Sequence, residues 1–120
     1  MRVVGVVFTG GTISMRFGAG SGGAVPSLGA DEIVAAARGI EHVASLRVEE
    51  WGRFPGPHMT VERQWALRAR LLDLVNDPQI DGVVVTHGTD TIEESAYLAT
   101  RSIATEKPIV FTGAMRNASE

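Results

Sequence analysis

Cysteine is absent from this sequence, and its absence excludes disulfide bonds, thiol nucleophiles and thiolate metal sites. The same absence fits a reducing compartment. The histidines, His42, His58 and His87, do not have the spacing of metal ligands. We therefore expect no metal site, and we expect His87, which follows a predicted strand, to form hydrogen bonds locally.

Lysine is nearly absent as well, because Lys107 is the only lysine among 11 basic residues. A P-loop needs a lysine after its last glycine, so this type of phosphate site is excluded. Gly18, Gly20 and Gly23 have the spacing of a dinucleotide motif, but they neither follow a strand directly nor open a helix. We interpret that segment as a flexible loop.

Neither a basic cluster nor a long apolar run is present. The net charge is -3, and we expect no nucleic-acid partner. No stretch approaches the roughly 20 apolar residues that cross a bilayer. The first apolar run, VVGVVF, is too short for a signal peptide. We predict a soluble cytoplasmic protein that does not associate with membranes.

The 120 residues, of which 44% are hydrophobic, are enough for one domain with a real core, residues 1–120. The pattern predicts strands at residues 3–8, 46–51, 80–86 and 108–112, and helices at residues 31–38, from residue 61 and from residue 91. This alternation predicts an α/β fold with a doubly wound, mainly parallel sheet in three α/β/α layers. Residues 14–29 are predicted to form a long loop, and the FPGPH segment at residues 54–58 is predicted not to be helical.

Caps and inner faces can be predicted for the two longer helices. Thr60 is a predicted N-cap of the second helix, and Asp90, with Glu93, is a predicted cap of the third. The predicted inner faces are Val61, Trp65, Leu72 and Val75 in the second helix and Ile92, Ala96, Ala99 and Ile103 in the third.

Two predicted strands end in turns of threonine and glycine, TGGT at residues 9–12 and THGTDT at residues 86–91. We expect both turns at the carboxyl edge of the sheet, where open α/β sheets bind ligands. A similar but weaker Thr-Gly pattern, FTGA at residues 111–114, occurs at the end of the last predicted strand. Such turns also favour glycine for its unusual dihedral angles and threonine for its hydrogen bonds to nearby backbone. Any one of the three turns can therefore be explained by local structure alone.

The chemistry of the two turns points to acyl transfer or amide hydrolysis. Thr89 lies beside the carboxylate of Asp90, and the first amides of the following helix lack acceptors within the helix. Those amides can hold a carboxylate or an oxyanion. Gly10 and Gly11 allow close approach to the backbone, and Thr12 adds a hydroxyl. The alternative is that Asp90 is only a helix cap and Thr89 only a turn residue.

Three segments, TGGTI, VVTHGTDTIEESAYL and KPIVFTGAMR, resemble the bacterial-type L-asparaginase and glutaminase family over nearly the whole chain. The resemblance implies hydrolysis of the side-chain amide of asparagine to aspartate and ammonia, without a cofactor. It implies Thr12 as the nucleophile, with Thr89 and Asp90 as the second hydroxyl and its acidic partner. Asp90 would also bind the α-amino group of the substrate, and the backbone of Gly88 and Ala114 would line the amide pocket.

The sequence departs from the family pattern at several positions. Ala24 stands where the family has a tyrosine, and Gly56 and Pro57 stand where it has a carboxylate-binding serine and a polar neighbour. The neighbouring His58 is a candidate replacement. In the family, a catalytic lysine and a smaller C-terminal domain follow beyond the position of Glu120. The resemblance also implies a homo-oligomer, either a dimer or a tetramer.

Two other functions remain open from the sequence. The first is a noncatalytic α/β domain that binds an amino acid at the same sheet edge. The second is a glutamine amidase component of a tRNA-dependent amidotransferase, which ranks last because no basic surface for tRNA is evident.

Overall fold

A computed structural model describes residues 1–10, 15–17, 24–26, 34–54 and 56–114. The strands in these ranges are β1 (Val3–Phe8), β2 (Met15–Phe17), β3 (Ala24–Pro26), β4 (Ser45–Glu50), β5 (Gly82–Thr86) and β6 (Ile109–Thr112). Four of them form a parallel sheet in the order β4, β1, β5, β6. β2 and β3 pair antiparallel as a separate ribbon.

The ribbon corrects one prediction, since residues 14–29 were expected to form a loop throughout. Strands of three residues are too short to show an alternating pattern in the sequence. Similarly, the FPGPH segment is not free of helix, because Gly56–His58 form one 3-10 turn. The strands predicted at residues 46–51, 80–86 and 108–112 are confirmed to within two residues at each end.

Helices cover both faces of the sheet, which confirms the α/β class and the layered arrangement. Helix α1 (Val61–Val75) and helix α2 (Ile92–Ser102) pack on the face that carries Val7, Val83 and Val85. On the opposite face, Val6 and Phe8 contact the segment that contains the helical residues 34–36. The first three residues of the helix predicted at residues 31–38 lie outside the described residues.

Helix α1 begins as predicted, and two of its four predicted inner residues are confirmed, since Val75 is buried and Leu72 packs against the core. The Thr60 side chain caps it by accepting a hydrogen bond from the Arg63 amide at 3.2 Å. Val61 and Trp65, which were predicted to face inward, are 74% and 57% exposed. The helix residues that are buried are Leu67, Leu71, Leu74 and Val75. These four also follow helical spacing, so periodicity alone did not decide between the two faces.

Helix α2 packs mainly as predicted but has a different cap. Ala99 and Ile103 are buried in the core, while Ile92 and Ala96 are partly buried. The N-cap position belongs to Thr91 and not to Asp90, and no side-chain capping hydrogen bond forms there. The prediction that Asp90 caps this helix is therefore wrong by one residue.

The order of the strands creates a switch point in the sheet. From β1 the chain passes to β4 on one side and then returns across β1 to reach β5 on the other side. In open parallel sheets, ligands bind outside the carboxyl ends of the strands at such a point. The turns that follow Phe8 and Thr86 lie at this position, as the sequence predicted.

Candidate active site

The two threonine turns are joined to each other at their bases. Thr9 is fully buried, and both its amide and its hydroxyl donate to the carbonyl oxygen of Thr86, at 3.2 and 2.6 Å. The Thr86 side chain is also buried, and its hydroxyl has no hydrogen-bond partner within the described part of the chain. The Thr9 hydroxyl therefore has a structural role, joining the bases of the two turns.

Gly10 allows the first turn to run directly against another backbone segment. Its φ angle is 107°, and a Cβ atom at this position would lie 2.6 Å from the Phe54 nitrogen. The Phe54 amide donates to the Thr9 carbonyl at 2.7 Å, which holds the two segments together. Only glycine fits here without a shift of the backbone.

The predicted nucleophile, Thr12, and its neighbour Gly11 lie outside the described residues. Gly10, the residue before them, is described and sits at the carboxyl end of β1 beside the end of β5. The approach of Thr12 to Thr89 stays a prediction.

The second turn has a buried base and an exposed tip. His87 and Gly88 are buried, whereas Thr89 and Asp90 are exposed. The His87 amide donates to the carbonyl of Thr112 at 2.9 Å, so the turn is also fastened to the end of β6. This arrangement exposes a hydroxyl and a carboxylate on a buried, hydrogen-bonded turn at the switch point.

Gly113 brings the third turn, FTGA, against the second. A Cβ atom at Gly113 would lie 2.7 Å from the His87 carbonyl oxygen and 3.0 Å from the Thr89 methyl carbon. Ala114 follows directly and is partly buried. The structure therefore brings the predicted pocket residues Gly88 and Ala114 to the same group of turns as Thr89.

Asp90 lies one residue before the cap of α2. It is exposed, it does not occupy the cap of α2, and its carboxylate has no ion pair or hydrogen bond among the residues that the structure describes. The interpretation of Asp90 as the cap of α2 is thus wrong, because Thr91 holds that position.

His87 forms hydrogen bonds locally, as expected. Its Nδ1 atom lies 2.8 Å from the Gly88 carbonyl oxygen, and its Nε2 atom lies 2.8 Å from the Ser95 hydroxyl. Ser95 in turn accepts a hydrogen bond from the side-chain amide of Gln64 at 3.0 Å. Burial lowers the pKa of His87, although the bond to Gly88 and the charge of Glu94 oppose this effect.

Gly56–His58, the segment predicted to bind the substrate carboxylate, comes shortly after Phe54, which contacts the first turn. Gly56 and Pro57 follow Phe54, whose backbone is bonded to Thr9, and Pro57 and His58 are exposed. The His58 carbonyl accepts from Thr60 and Arg63. None of the hydrogen bonds within the described ranges connects Gly56–His58 to the second turn, so their substrate role stays a prediction.

The described residues contain no group of three or more histidine, cysteine, aspartate or glutamate side chains that could hold a metal ion. No helix within them is both long and apolar enough to cross a membrane.

Three supporting residues were not found from the sequence. Ser95 on α2 forms a hydrogen bond with the His87 ring, Gln64 on α1 donates to Ser95, and the missing side chain of Gly113 leaves room for the second turn. The first two have ordinary polar side chains on predicted helices, and no local pattern marks them. The repeated Thr-Gly pair at residues 112–113 was a usable signal for Gly113.

Comparisons with known proteins agree on one family. The family model described as asparaginase, N-terminal, matches residues 3–120. The glutaminase-asparaginase of Pseudomonas fluorescens biotype A is 33% identical over 117 residues, which cover 92% of this chain and 32% of that protein. The probable periplasmic L-asparaginase of Haemophilus influenzae is also 33% identical over 117 residues, covering 96% of this chain and 33% of that protein.

Among solved structures, a probable cytoplasmic L-asparaginase from Campylobacter jejuni has a TM-score of 0.87 and 31% sequence identity. The match covers all of this chain and 35% of that one. The chain thus spans about a third of the length of the relatives it matches.

Proposed function

Because this chain belongs to the asparaginase family, we propose that it takes part in hydrolysis of the side-chain amide of L-asparagine to L-aspartate and ammonia. Family membership supports an amidohydrolase of the asparaginase type. The observation that carries the proposal is the second turn, where Thr89 and Asp90 are exposed on a buried support at the switch point of the sheet.

In the proposed reaction, the Thr12 hydroxyl oxygen adds to the amide carbon of the substrate. The amide nitrogen takes up the proton of Thr12 and leaves as ammonia, and a threonyl ester remains. Water then hydrolyses this ester, which releases aspartate and restores the hydroxyl. Thr89 provides the second hydroxyl, while Asp90 is its acidic partner and binds the α-amino group of the substrate.

The start of helix α2 supports this chemistry electrostatically. The first amides of a helix lack acceptors within the helix and carry partial positive charge. Such donors stabilise the negative oxygen of a tetrahedral intermediate. Gly88, Thr89 and Asp90 directly precede the cap of an 11-residue helix, so these donors lie next to the proposed reacting groups.

Ammonia release from L-asparagine and L-glutamine by the full-length protein tests the proposal. Thr12→Ala and Thr89→Val should each lower kcat by roughly 100-fold or more, since they remove hydroxyls used in the reaction. Thr100→Val is a matched control, because Thr100 is exposed on α2 away from the turns. Equal turnover by the wild type and by both site variants would end the catalytic proposal.

The second candidate is an amino-acid-binding domain without catalysis. Ala24, which replaces the family's tyrosine, and Gly56 and Pro57, which replace its polar residues, favour this candidate. Calorimetric binding of L-aspartate by a protein that releases no ammonia would support it. Loss of that binding in Asp90→Asn, with the fold retained, would locate the ligand at the second turn under either candidate.

Three further assignments belong to the proposal. The substrate is a small amide, and both asparagine and glutamine need to be tested because relatives are named for both. We propose a cytoplasmic location, although one relative is named as periplasmic. We also propose a homo-oligomer, a dimer or a tetramer, which acts without a metal or cofactor.

A further inference from the structure

His87 is a buried titratable residue that the proposed reaction does not use. Its ring is completely excluded from solvent, and both nitrogens are hydrogen-bonded, one to the Gly88 carbonyl and one to the Ser95 hydroxyl. A buried ring of this kind can simply fill space in the core, or it can also fix the orientation of the groups to which it is hydrogen-bonded. The chemistry of its partners decides which atoms it fixes.

The hydrogen-bond partners assign the protonated nitrogen. A carbonyl oxygen can only accept, so the short contact with Gly88 requires a proton on Nδ1. Burial lowers the pKa of His87, which keeps the ring neutral at pH 7 and leaves Nε2 without a proton. Ser95 then donates to Nε2 and accepts from Gln64, so each of the donors in this series of hydrogen bonds has an acceptor.

The bond to Gly88 fixes a peptide plane in the second turn. The described residues have no cis peptide bonds, so the Thr89 N–H points opposite to the Gly88 carbonyl. Because that carbonyl faces the buried ring, the Thr89 N–H points away from the ring, and Thr89 itself is exposed. No backbone acceptor within the described ranges takes this N–H.

We propose that His87 is a positioning residue for amide hydrolysis, which in its Nδ1–H form orients the Gly88–Thr89 peptide so that the Thr89 N–H meets the developing oxyanion. The inference rests on the proposed function. His87 acts only through the peptide and does not touch the substrate. Ser95, which accepts a hydrogen bond from Gln64, holds the ring in the orientation that this contact needs.

Two substitutions at His87 can distinguish a role in orienting the Gly88–Thr89 peptide from a role in core packing alone. Asparagine places an amide N–H near the position of Nδ1, whereas glutamine places one near the position of Nε2. In the full-length protein, His87→Gln should lower kcat for ammonia release about 10- to 100-fold with KM nearly unchanged, because the oxyanion donor is misplaced. His87→Asn should restore most of the lost kcat.

Ser95→Ala and Ser102→Ala form a matched pair of controls. The two serines lie two turns apart on α2, and each accepts a hydrogen bond from a side chain of α1, Gln64 and Arg68 respectively. Only Ser95 contacts His87. We expect a lower kcat in Ser95→Ala and wild-type kcat in Ser102→Ala. Equal kcat in His87→Asn and His87→Gln, whether normal or reduced, would overturn the proposal.

Nitrogen-15 spectra of the histidine ring test the inference without turnover and without a substitution. The His87 ring should show a proton on Nδ1 and none on Nε2 at pH 7.5, and the opposite tautomer would overturn the proposal. If the wild type shows this tautomer but releases no ammonia from either amide, the proposed function fails while the orientation of the peptide by His87 stands.

Discussion

Gly10 and Gly39 both have positive φ angles, 107° and 77°, but their surroundings differ. A Cβ atom at Gly10 would come within 3 Å of three backbone atoms of Arg53 and Phe54, whereas one at Gly39 would meet nothing within 4 Å. At Gly39, glycine is therefore favoured only by the positive φ angle. At Gly10, it is favoured by the positive φ angle and also by the lack of space for a side chain.

Alanine substitutions at these two glycines should have unequal costs. Gly39→Ala should lower the free energy of unfolding by about 1 kcal/mol, the cost of a left-handed residue with a Cβ atom. Gly10→Ala should lower it by about 3 kcal/mol or more, because the clash is with backbone. Urea unfolding of both variants measures the difference, and equal costs would show that the first turn can move away from Phe54.

His87 should make the stability depend on pH. Burial lowers the pKa of the folded ring below its ordinary value of 6.5, so below pH 6.5 the unfolded chain binds more protons than the folded one. This contribution to stability is complete above pH 6.5 and is lost as the pH falls, by up to about 1.4 kcal/mol per pH unit. The unfolding free energy of the wild type measured from pH 7.5 to pH 5 should show this loss.

The variant His87→Asn provides the reference for that measurement. It lacks the titrating ring, so the difference in unfolding free energy between wild type and variant should shrink as the pH falls below 6.5. Parallel pH profiles of the two proteins would show that His87 takes up its proton equally well in the folded and unfolded chains.

The buried face of helix α1 is a feature that its local sequence pattern does not determine. The strands of the parallel sheet and the two long helices were predictable, because apolar runs, Thr60 and the terminating Asn76 to Pro78 segment mark them locally. Which face of α1 is buried depends on long-range packing, and both candidate faces have helical spacing. The same reasoning explains why the exposed tip at Thr89 and Asp90 was found while the hydrogen bonds from Gln64 and Ser95 were not.

Alanine substitutions should lower the free energy of unfolding more on the buried face of α1 than on its exposed face. Leu71 is fully buried, so Leu71→Ala should lower the free energy of unfolding by about 2–5 kcal/mol. Trp65 is 57% exposed, so Trp65→Ala should change it by only about 0.5 kcal/mol. The reverse ranking in thermal unfolding would restore the face predicted from the sequence.

The two helix starts should also respond differently. Thr60→Ala removes the hydroxyl that caps α1 and should cost about 1 kcal/mol of stability. Asp90→Ala should cost less than about 0.5 kcal/mol, because Asp90 is exposed and does not cap α2. The same Asp90 variant should lose binding of L-aspartate in calorimetry. A stable Thr60→Ala, or an unstable Asp90→Ala, would contradict these assignments.

The outer surfaces of the two long helices carry large apolar side chains. Val61 and Trp65 on α1 and Tyr97 on α2 are all more than half exposed. We predict that the full-length protein associates with itself, as the resemblance implies, and light scattering should give the mass of a dimer or tetramer. A monomer mass at all concentrations would contradict this prediction.

The shared acceptor at Thr86 affects how the whole site can move. One carbonyl oxygen receives both the amide and the hydroxyl of Thr9, in a place closed to water. Separating the bases of the two turns would break both bonds at once and leave buried donors with nothing to replace them. The bases of the two turns therefore resist separation, and we expect a substrate to bind without moving them apart.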